Sequence, residues 1–441
     1  MRLPVRLLCL ALACPGLAHA NDLMRVYDLA AQNDANFRAA QHARDASIEA
    51  RPQAWAALLP QINGEYSDGK SKETGTESFN GLPATTIDRD SSSSGLTVSL
   101  SQALFDWEAI QALRQSGDVV ALAETNLRAA RQDLVLRVAQ AYFGVLAAAD
   151  NLRTLEAEHQ ALERQLEQAR KRFEVGLSAI TDVQETQARY DLSVANRIIA
   201  RQTLDSAREA LAEITGQPAT EIAALQEDFP LPAPNPTEVG AWVRQALEGN
   251  LDLLAARYNA EIAEKGVNRA WSRHLPTVGA VASYQDSEAS GSRFSGESET
   301  ESYGLRVNVP IFAGGATQSG VRQATATREQ RRSQYEGTRR LVERSTRDAY
   351  QGVVAGVNTV QAYKQAVISS TTALEASQTG LEVGTRTAVD VLNAQQLLYA
   401  AQRTYYQSRY DYLLSYLRLK AATGALTEKE LVTIDRLLVG G

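Results

Sequence analysis

The sequence predicts a mostly α-helical chain with a small β part, in which one layout occurs twice. Residues 84–217 and 311–441 contain none of the 12 prolines, and good helix formers such as Ala, Leu, Gln, Glu and Arg dominate both spans. Short segments alternate apolar and polar residues, as strands do. Motifs of the first half recur in the second half, which indicates an internal duplication.

Length and charge exclude several classes of protein. The 441 residues suffice for two or three ordinary domains or one large one. The chain has 45 basic and 52 acidic residues and a formal net charge of -7, so it has no broad surface for nucleic acid. With 44% hydrophobic residues it is not disordered throughout. No apolar run approaches the roughly 20 residues of a transmembrane helix, which excludes a polytopic inner-membrane protein.

Residues 1–20 have the composition of a cleaved secretory signal peptide. Arg2 and Arg6 give a positive start, 7–13 is a short apolar core, and 18–20 is a small-x-small cleavage site. Both cysteines of the chain fall in this leader, so the mature protein carries no thiol and needs no disulfide. Lipidation at Cys14 is the alternative, which the following proline disfavours.

The segment Trp107–Glu174 is predicted to form one helix. At 1.5 Å per residue it would be roughly 100 Å long, which exceeds the diameter of a globular domain. A long coiled coil explains such a helix without any further function. Its apolar residues recur at three- and four-residue steps, as in an amphipathic helix, at Leu127, Ala130, Leu134, Val138, Ala141 and Val145.

The predicted strands alternate with period two in 96–101, 278–284 and 305–309. One apolar and one polar face suits a barrel wall between lipid and water, although a half-buried sheet in a soluble domain gives the same pattern. The Ser-, Gly- and acid-rich stretches 67–94 and 285–302 are predicted as long exposed loops. Four strands per chain cannot close a barrel, which takes about eight, whereas three copies would supply twelve.

The two halves match at an offset of about 208 residues, most clearly in the Glu-Val-Gly tripeptides at 174–176 and 382–384. Each half is predicted to contain a short helix, two strands, a long helix, a Gly turn and a second helix. The predicted boundaries are a signal peptide at 1–20, a first repeat at 21–216, a Pro-rich extended linker at 217–238, a second repeat at 239–424 and a C-terminal tail at 425–441.

The sequence shows no recognisable catalytic or metal site, so no enzyme, cofactor or bound metal is predicted. His42, His159 and His274 are far apart and are predicted as surface residues. The glycines of 315–320 have phosphate-loop spacing, but no Lys-Ser/Thr follows, so this segment is predicted as a strand-to-helix corner. No Gly-x-Ser-x-Gly nucleophile motif is present.

Gly176 and Gly384 mark the places where two long helices meet. Glycine there permits the positive φ of a tight helix-to-helix turn. Asp182 and Asp390 follow these turns. In an oligomer each aspartate would form a ring of carboxylates, which makes a cation-selective gate. Alternatively, both carboxylates simply complement the helix macrodipole.

Three segments around these turns carry a family resemblance. They are RFEVGLSAITDVQ (172–184), GLEVGTRTAVDVLNAQQLLYAAQ (380–402) and YDYLLSYLRLKAATGALTEKEL (410–431). Together with the duplicated layout, they resemble the TolC family of outer-membrane channel proteins over essentially the whole mature chain. The resemblance implies a homotrimer, with a twelve-stranded transmembrane β-barrel in outer-membrane lipid and a long α-helical barrel across the periplasm.

The resemblance also implies a function. The chain would be the outer-membrane exit duct of a tripartite type I secretion or multidrug efflux system, passing proteins or small molecules to the outside. Its implied partners are a periplasmic adaptor (membrane fusion) protein and an inner-membrane pump of the ABC or RND type.

Residue by residue, the resemblance assigns roles around the turns. Asp390 matches the family's aperture aspartate, and Asn393 stands where the family has a second one, which weakens the implied negative ring. The implied gating residues are Thr181, Asp182, Leu381 and Arg386. Among them, Leu381 replaces the tyrosine of the family's closing network. The implied adaptor-contacting tips are Val175, Gly176, Leu177, Val383, Gly384 and Thr385.

Two other classes of protein remain open from the sequence. A periplasmic coiled-coil adaptor or scaffold accounts for the helices and the leader, but not for the alternating strands. An exported hydrolase would need a nucleophile and base that the sequence does not display. Within the channel class, the sequence does not distinguish protein secretion from small-molecule efflux.

Overall fold

The computed structural model describes residues 23–78, 85–218, 222–291 and 295–439; the predicted signal peptide lies outside them. The mostly α fold with a small β part is confirmed. The helices are α1 (Leu23–Asn33), α2 (Ala35–Ile48), α3 (Ala50–Ala56), α4 (Trp107–Glu174), α5 (Ile180–Thr215), α6 (Val239–Gly249), α7 (Leu251–Ser272), α8 (Ala316–Glu382), α9 (Ala388–Ala422) and α10 (Glu428–Asp435). The strands are β1 (Gln61–Glu77), β2 (Thr85–Phe105), β3 (Thr277–Gly291) and β4 (Ser295–Asn308).

The elements follow the same order twice along the chain. The first half runs through α1–α3, β1, β2, α4 and α5, and the second through α6, α7, β3, β4, α8 and α9. The long helices α4 and α8 have 68 and 67 residues, and the helices that follow them, α5 and α9, have 36 and 35. The single long helix predicted from Trp107 to Glu174 is confirmed, as is the duplicated layout.

The described residues form two compact units. The first unit takes those within 1–39, 130–250 and 342–441, and the second takes those within 40–129 and 251–341. All four strands belong to the second unit. Both Gly turns and all the predicted gating residues belong to the first.

The sheet of the second unit is antiparallel, in the order β1-β2-β3-β4. Because opposite residues share a face, the pairs Ile62↔Leu100 and Ala282↔Tyr303 place apolar side chains together. We call this side the apolar face. Its exposed large residues are Ile62, Tyr66, Leu96, Val98, Tyr303, Leu305 and Val307.

The predicted loops 67–94 and 285–302 are wrong for most of their length. β1 and β2 pair continuously from Gln61↔Ser101 to Glu77↔Thr85, and β3 and β4 from Thr277↔Asn308 to Ser290↔Ser295. Polar side chains do not prevent this, because the backbone makes the ladder and cross-strand pairs add to it. The hydroxyls of Ser71 and Ser91, for example, are 2.8 Å apart across β1 and β2.

The core of the first unit forms on the apolar stripe predicted for α4. Leu134, Val138 and Val145 of that stripe are buried. The ring of Phe143 stacks on Tyr410 of α9 with 5.9 Å between centroids, and the Tyr410 hydroxyl donates to Asp150 at 2.6 Å. These contacts hold α4 against α9.

The described part of the predicted linker, 217–218 and 222–238, belongs to the first unit and packs on α4 and the C-terminal tail. The Tyr142 hydroxyl donates to the Ala223 carbonyl at 2.8 Å, and Leu225 forms an antiparallel bridge with Leu438. The tail beyond 424, left unassigned from the sequence, forms α10. The Tyr27 hydroxyl of α1 donates to Glu428 of α10 at 2.8 Å, which raises the pKa of the tyrosine together with its burial.

Asp34 links three helices of the first unit. Its carboxylate accepts from the Phe37 backbone N–H at 2.6 Å, at the start of α2. It also accepts two bonds, of 2.8 and 3.0 Å, from the Arg137 guanidinium on α4. Asp34 is only 3% exposed, and the bond from Arg137 holds its pKa below the usual value.

His159 corrects a second prediction, because it is buried rather than at the surface. Its Nδ1 is 2.8 Å from the Ser193 hydroxyl of α5, and its ring lies 4.9 Å from that of Tyr190. The side chain therefore fills the contact between α4 and α5. His42 and His274 are exposed, as predicted. None of the described helices combines the length and the apolar character needed to cross a bilayer.

Candidate functional site

The two Gly turns have the same hydrogen-bonding pattern. Gly176 has φ 76° and Gly384 has φ 78°, as predicted for both. At the first turn, the Leu177 N–H donates to the Arg172 carbonyl at 2.8 Å, and at the second the Thr385 N–H donates to Gly380 at 2.8 Å. This six-to-one bond is the Schellman motif, which closes a helix on a left-handed glycine.

Each turn exposes apolar side chains to solvent. Val175 is 68% exposed, Leu177 69% and Val383 70%, and Thr385 and both glycines are exposed as well. Isolated exposed apolar residues are common, but here they lie at two tight turns of the same unit. The predicted adaptor tips are therefore accessible in one chain.

The predicted aperture residue Asp390 belongs to a capping box at the start of α9. Its carboxylate accepts from the Thr387 N–H and from the Thr387 hydroxyl, both at 2.9 Å, while the Asp390 N–H donates back to that hydroxyl at 3.2 Å. These bonds from Thr387 lower the pKa of Asp390, and the Arg386 charge adds to the effect. The carboxylate is thus charged and fixed in orientation.

Asp182 occupies the equivalent place at the start of α5 without such a box. Its N-cap residue is Ala179, which has no side-chain oxygen, and the Asp182 N–H bonds the Ala179 carbonyl at 3.1 Å. Thr181 beside it is exposed. The Asp182 carboxylate is therefore not held by a cap, unlike that of Asp390.

Arg386 lies over the end of α8. Its N–H donates to the Gly380 carbonyl at 3.1 Å, and a Cβ added at Gly380 would lie 2.6 Å from the Arg386 Cγ. Gly380 thus leaves room for the arginine stem. Within the described part of one chain, no ion pair joins Arg386 to Asp182. Leu381, half-buried, follows Gly380.

Asn393 accepts a hydrogen bond from an arginine that the sequence did not single out. The Arg189 guanidinium of α5 donates to Asn393 at 2.9 Å and to Gln396 at 2.8 Å, both on α9, and pairs with Glu185 at 3.0 Å. We call this set the Arg189 bridge. It joins the α4–α5 pair to the α8–α9 pair. The Glu185–Arg189 spacing was a sequence signal, but it indicated no partner on another helix.

Across the described part of the chain, no group of three or more His, Cys, Asp or Glu side chains is arranged to hold a metal ion. The site thus consists of two exposed apolar turns, two aspartates at helix starts, Arg386 beside one turn and Arg189, which bridges two pairs of helices. Such an arrangement can bind another protein and change how helices pack.

Comparison with known proteins identifies the family. The family model described as "Outer membrane efflux protein" matches residues 26–217 and 242–425. The chain belongs to this family. It is therefore an outer-membrane protein of a family of transport channels.

Named relatives cover most of the chain. It is 35% identical to "Outer membrane protein TolC" of Escherichia coli over 96% of this chain and 86% of that protein. It is 36% identical to TolC of Vibrio cholerae over 94% and 93%, and 32% identical to "Alkaline protease secretion protein AprF" of Pseudomonas aeruginosa over 96% and 89%. These relatives are named as outer-membrane and secretion proteins, and nothing in the comparison supports the adaptor alternative.

Solved structures share the fold of the outer membrane efflux protein family. The outer membrane protein VceC of Vibrio cholerae superposes with a TM-score of 0.75 at 21% identity, covering 91% of this chain and 96% of that one. The CmeC outer membrane channel of Campylobacter jejuni gives 0.77 at 17% identity, covering 96% and 90%. At these identities the likeness concerns the fold alone.

Proposed function

We propose that the protein is a homotrimeric exit duct in the outer membrane. Its strands would close a twelve-stranded barrel in lipid, and its long helices would form a tube in the periplasm. Proteins or small molecules would enter from a periplasmic adaptor and an inner-membrane pump of the ABC or RND type. The pump would supply the energy, and the channel itself would carry out no chemical step.

The observation that carries this proposal is the apolar face of the sheet. Tyr303 is 90% exposed, and Leu305, Tyr66 and Ile62 are about 70% exposed, on a sheet of four strands. Lipid would cover these side chains at roughly 25 cal/mol per Å² of buried apolar surface. The opposite face carries small and polar residues such as Ser99 and Thr97, as a water-filled lumen requires.

Purified mature protein in detergent tests both parts of the proposal. Light scattering should give three times the chain mass, and addition to a planar lipid bilayer should give discrete ion currents. A monomer that stays soluble without detergent and passes no current would contradict it.

We propose that the exposed turns dock the adaptor. Val175, Leu177 and Val383 supply apolar contact, and the two turns repeat the same shape. A photo-reactive probe on Thr385→Cys should cross-link the adaptor in cells. The same probe on Thr404→Cys, an exposed site far along α9, is the matched control. Equal labelling from both positions would contradict docking at the turns.

We propose that Asp182 and Arg386 hold the resting channel closed. Since they do not pair within the described part of one chain, the pairing would join neighbouring copies. Arg386→Ser should raise the resting conductance in a planar bilayer, whereas Arg386→Lys keeps the charge and should raise it less. Leu381 cannot supply a hydrogen bond, so Leu381→Tyr should lower the resting conductance. Unchanged conductance in Arg386→Ser would refute this gating role.

The predicted domain boundaries stand as part of the proposal. Two repeats, at 21–216 and 239–424, follow a signal peptide at 1–20 and flank the segment 217–238. The family model supports this division, since it matches in two blocks with a gap at 218–241. The tail 425–441 would stabilise the first unit, because its helix α10 forms hydrogen bonds with α1.

A further inference from the structure

The sheet ends in two open edges, β1 and β4, whose charged residues on the apolar face have opposite net sign. On the apolar face, β1 has Lys70 and Lys72 beside one acid, Asp68, while β4 has three acids, at 297, 299 and 301. Among the described residues, Lys70 and Glu301 have no ion-pair partner in their own chain. An unpaired edge is a template for another strand, and the complementary charges indicate that the strand comes from a second copy of this chain.

The acidic strand β4 is not neutralised by its own neighbour β3. Glu299 lies opposite Asp286, and Glu297 lies opposite Glu288. Like charges directly opposite one another destabilise a pair of strands. Lysines on the other side of β4 would relieve this repulsion, and β1 of the next copy carries two: Lys70, and Lys72, which also pairs with Asp88 of its own chain at 3.0 Å.

The ladder within one chain fixes the reference level for closure. Gln61 pairs with Ser101, Ser101 with Val281, and Val281 with Gly304. Two residues of β1 and β4 that are linked by such directly opposite pairs are level with each other, and their numbers add to 365. Closing a barrel requires β1 of the next copy to be shifted along β4 from this level position, and we call this shift the stagger. The stagger must be an even number of residues, because an odd shift would place the apolar side chains of one strand on the polar face of the next.

The strand ends give the direction and size of that stagger. Each residue of β4 can be given the number of the β1 residue level with it, which is 365 minus its own number. On this scale β1 spans 61–77 and β4 spans 57–70, so from β1 to β4 one end of the sheet shifts by four residues and the other by seven, over three strand-to-strand steps. A fourth step brings the shift to about five to nine residues. Within this range the even values are six and eight residues per chain. With about 3.3 Å per residue, about 4.8 Å between strands and twelve strands, a stagger of six tilts the strands by roughly 45° and a stagger of eight by roughly 54°. Six therefore gives the normal strand tilt.

We propose, on the basis of the proposed trimer, that β4 of one copy pairs antiparallel with β1 of the next in the register whose residue numbers add to 371. We call this pairing the seam. Lys70 then lies opposite the partner subunit's Glu301, and Lys72 opposite the partner subunit's Glu299. On the polar face, Glu65 lies opposite the partner subunit's Arg306.

The neighbouring registers do not give these three pairs. With numbers adding to 369, Lys70 would face the partner subunit's Glu299 and Lys72 the partner subunit's Glu297, but Asp68 would face the partner subunit's Glu301, a repulsive pair, and Glu65 would face a glycine. With numbers adding to 373, only Lys72 and the partner subunit's Glu301 would pair. Of the three registers, the one adding to 371 gives the most attractive pairs and no like-charge pair among the described residues, and it also has the normal strand tilt.

Cysteine cross-linking tests the register directly, because the mature chain has no native cysteine. Opposite residues in a seam have Cα atoms about 4.5–5.5 Å apart, within disulfide range, whereas a two-residue offset exceeds it. Mild oxidation of the double variant Lys70→Cys/Glu301→Cys in outer membranes should give covalent dimers and trimers on a non-reducing gel. The offset controls Asp68→Cys/Glu301→Cys and Lys72→Cys/Glu301→Cys should give at least about five-fold less.

A second variant keeps every charge of the seam. Tyr66→Cys/Leu305→Cys has the same sum, 371, and should also cross-link. Independently, Lys70→Glu should reduce the heat-stable oligomer on a native gel, and Lys70→Glu/Glu301→Lys should restore it. Restoration supports direct pairing, whereas a further loss in the double variant contradicts it.

The remaining outcomes separate this inference from the proposed function. Cross-linking of an offset control in place of Lys70→Cys/Glu301→Cys overturns the register and leaves the trimer standing. A trimer by light scattering with no cross-link at any of these positions overturns the β4–β1 seam. A monomer that passes no current overturns the proposed function itself.

Discussion

The Arg189 bridge gives the sharpest test of how the channel stays closed. Arg189 on α5 donates to Asn393 at 2.9 Å and to Gln396 at 2.8 Å on α9. Within one chain, α4 and α5 are joined by the Gly176 turn, and α8 and α9 by the Gly384 turn. If opening moves one pair of helices relative to the other, these hydrogen bonds break.

The expected magnitude follows from exposure. The Arg189 side chain is 24% exposed, and Asn393 and Gln396 are exposed, so we assign the bridge about 0.5–1 kcal/mol per chain. In the proposed trimer, three chains that open together would lose roughly 1.5–3 kcal/mol of stabilisation of the closed state. Since about 1.4 kcal/mol is a factor of ten, Arg189→Gln should raise the resting open probability roughly 10- to 150-fold.

Single-channel recording in planar bilayers measures this probability. Arg170→Gln is the matched control, because Arg170 of α4 bonds Gln187 of α5 at 2.6 Å, within a single pair of helices. It should leave the open probability within about two-fold of the unmodified channel. Equal open probabilities for Arg189→Gln and the unmodified channel would refute the bridge as a closing contact.

Three further predictions follow from individual contacts. Asn393→Asp should strengthen block of the channel by multivalent cations, and more so together with Arg189→Gln, because the guanidinium then no longer offsets the new charge; titration of the block measures both. Asp34→Asn removes the ion pair with Arg137 and should cost about 2 kcal/mol at neutral pH, seen as a lower Tm by circular dichroism. Because the folded pKa of Asp34 is lowered, its contribution is complete above about pH 5 and is lost as the pH falls below it, so the two Tm values should converge in acid. Gly384→Ala forces a left-handed φ on a side chain and should destabilise the turn by about 1 kcal/mol, with weaker adaptor binding in a pull-down.

The helices were predictable because helix formation depends on local rules. The absence of proline and the apolar stripe indicated a long helix, and its predicted ends at Trp107 and Glu174 are those of α4. The glycines at 176 and 384 likewise predicted a positive φ at both turns, since residues other than glycine rarely adopt it. These features need no knowledge of distant contacts.

The errors share a physical cause, namely dependence on distant residues. The Ser-rich stretch 85–94 is strand because β1 lies beside it, and composition alone indicated a loop. His159 is buried because Ser193 and Tyr190 of another helix meet it. Arg189 gave no more than a helical ion pair with Glu185, and its role depends on α9. Each case required the tertiary packing that a sequence pattern does not contain.

The two starts of α5 and α9 show how a duplicated turn can acquire different roles. Thr387 gives α9 a capping box that commits the Asp390 carboxylate to its own helix, whereas Ala179 leaves the Asp182 carboxylate without a cap. A carboxylate held by a capping box keeps its charge and position, but fewer of its lone pairs remain to accept from another residue. A carboxylate without a capping box can accept hydrogen bonds from an arginine of another helix. A single hydroxyl that one repeat has and the other lacks thus supports the proposed division, with Asp390 at the aperture and Asp182 paired to Arg386.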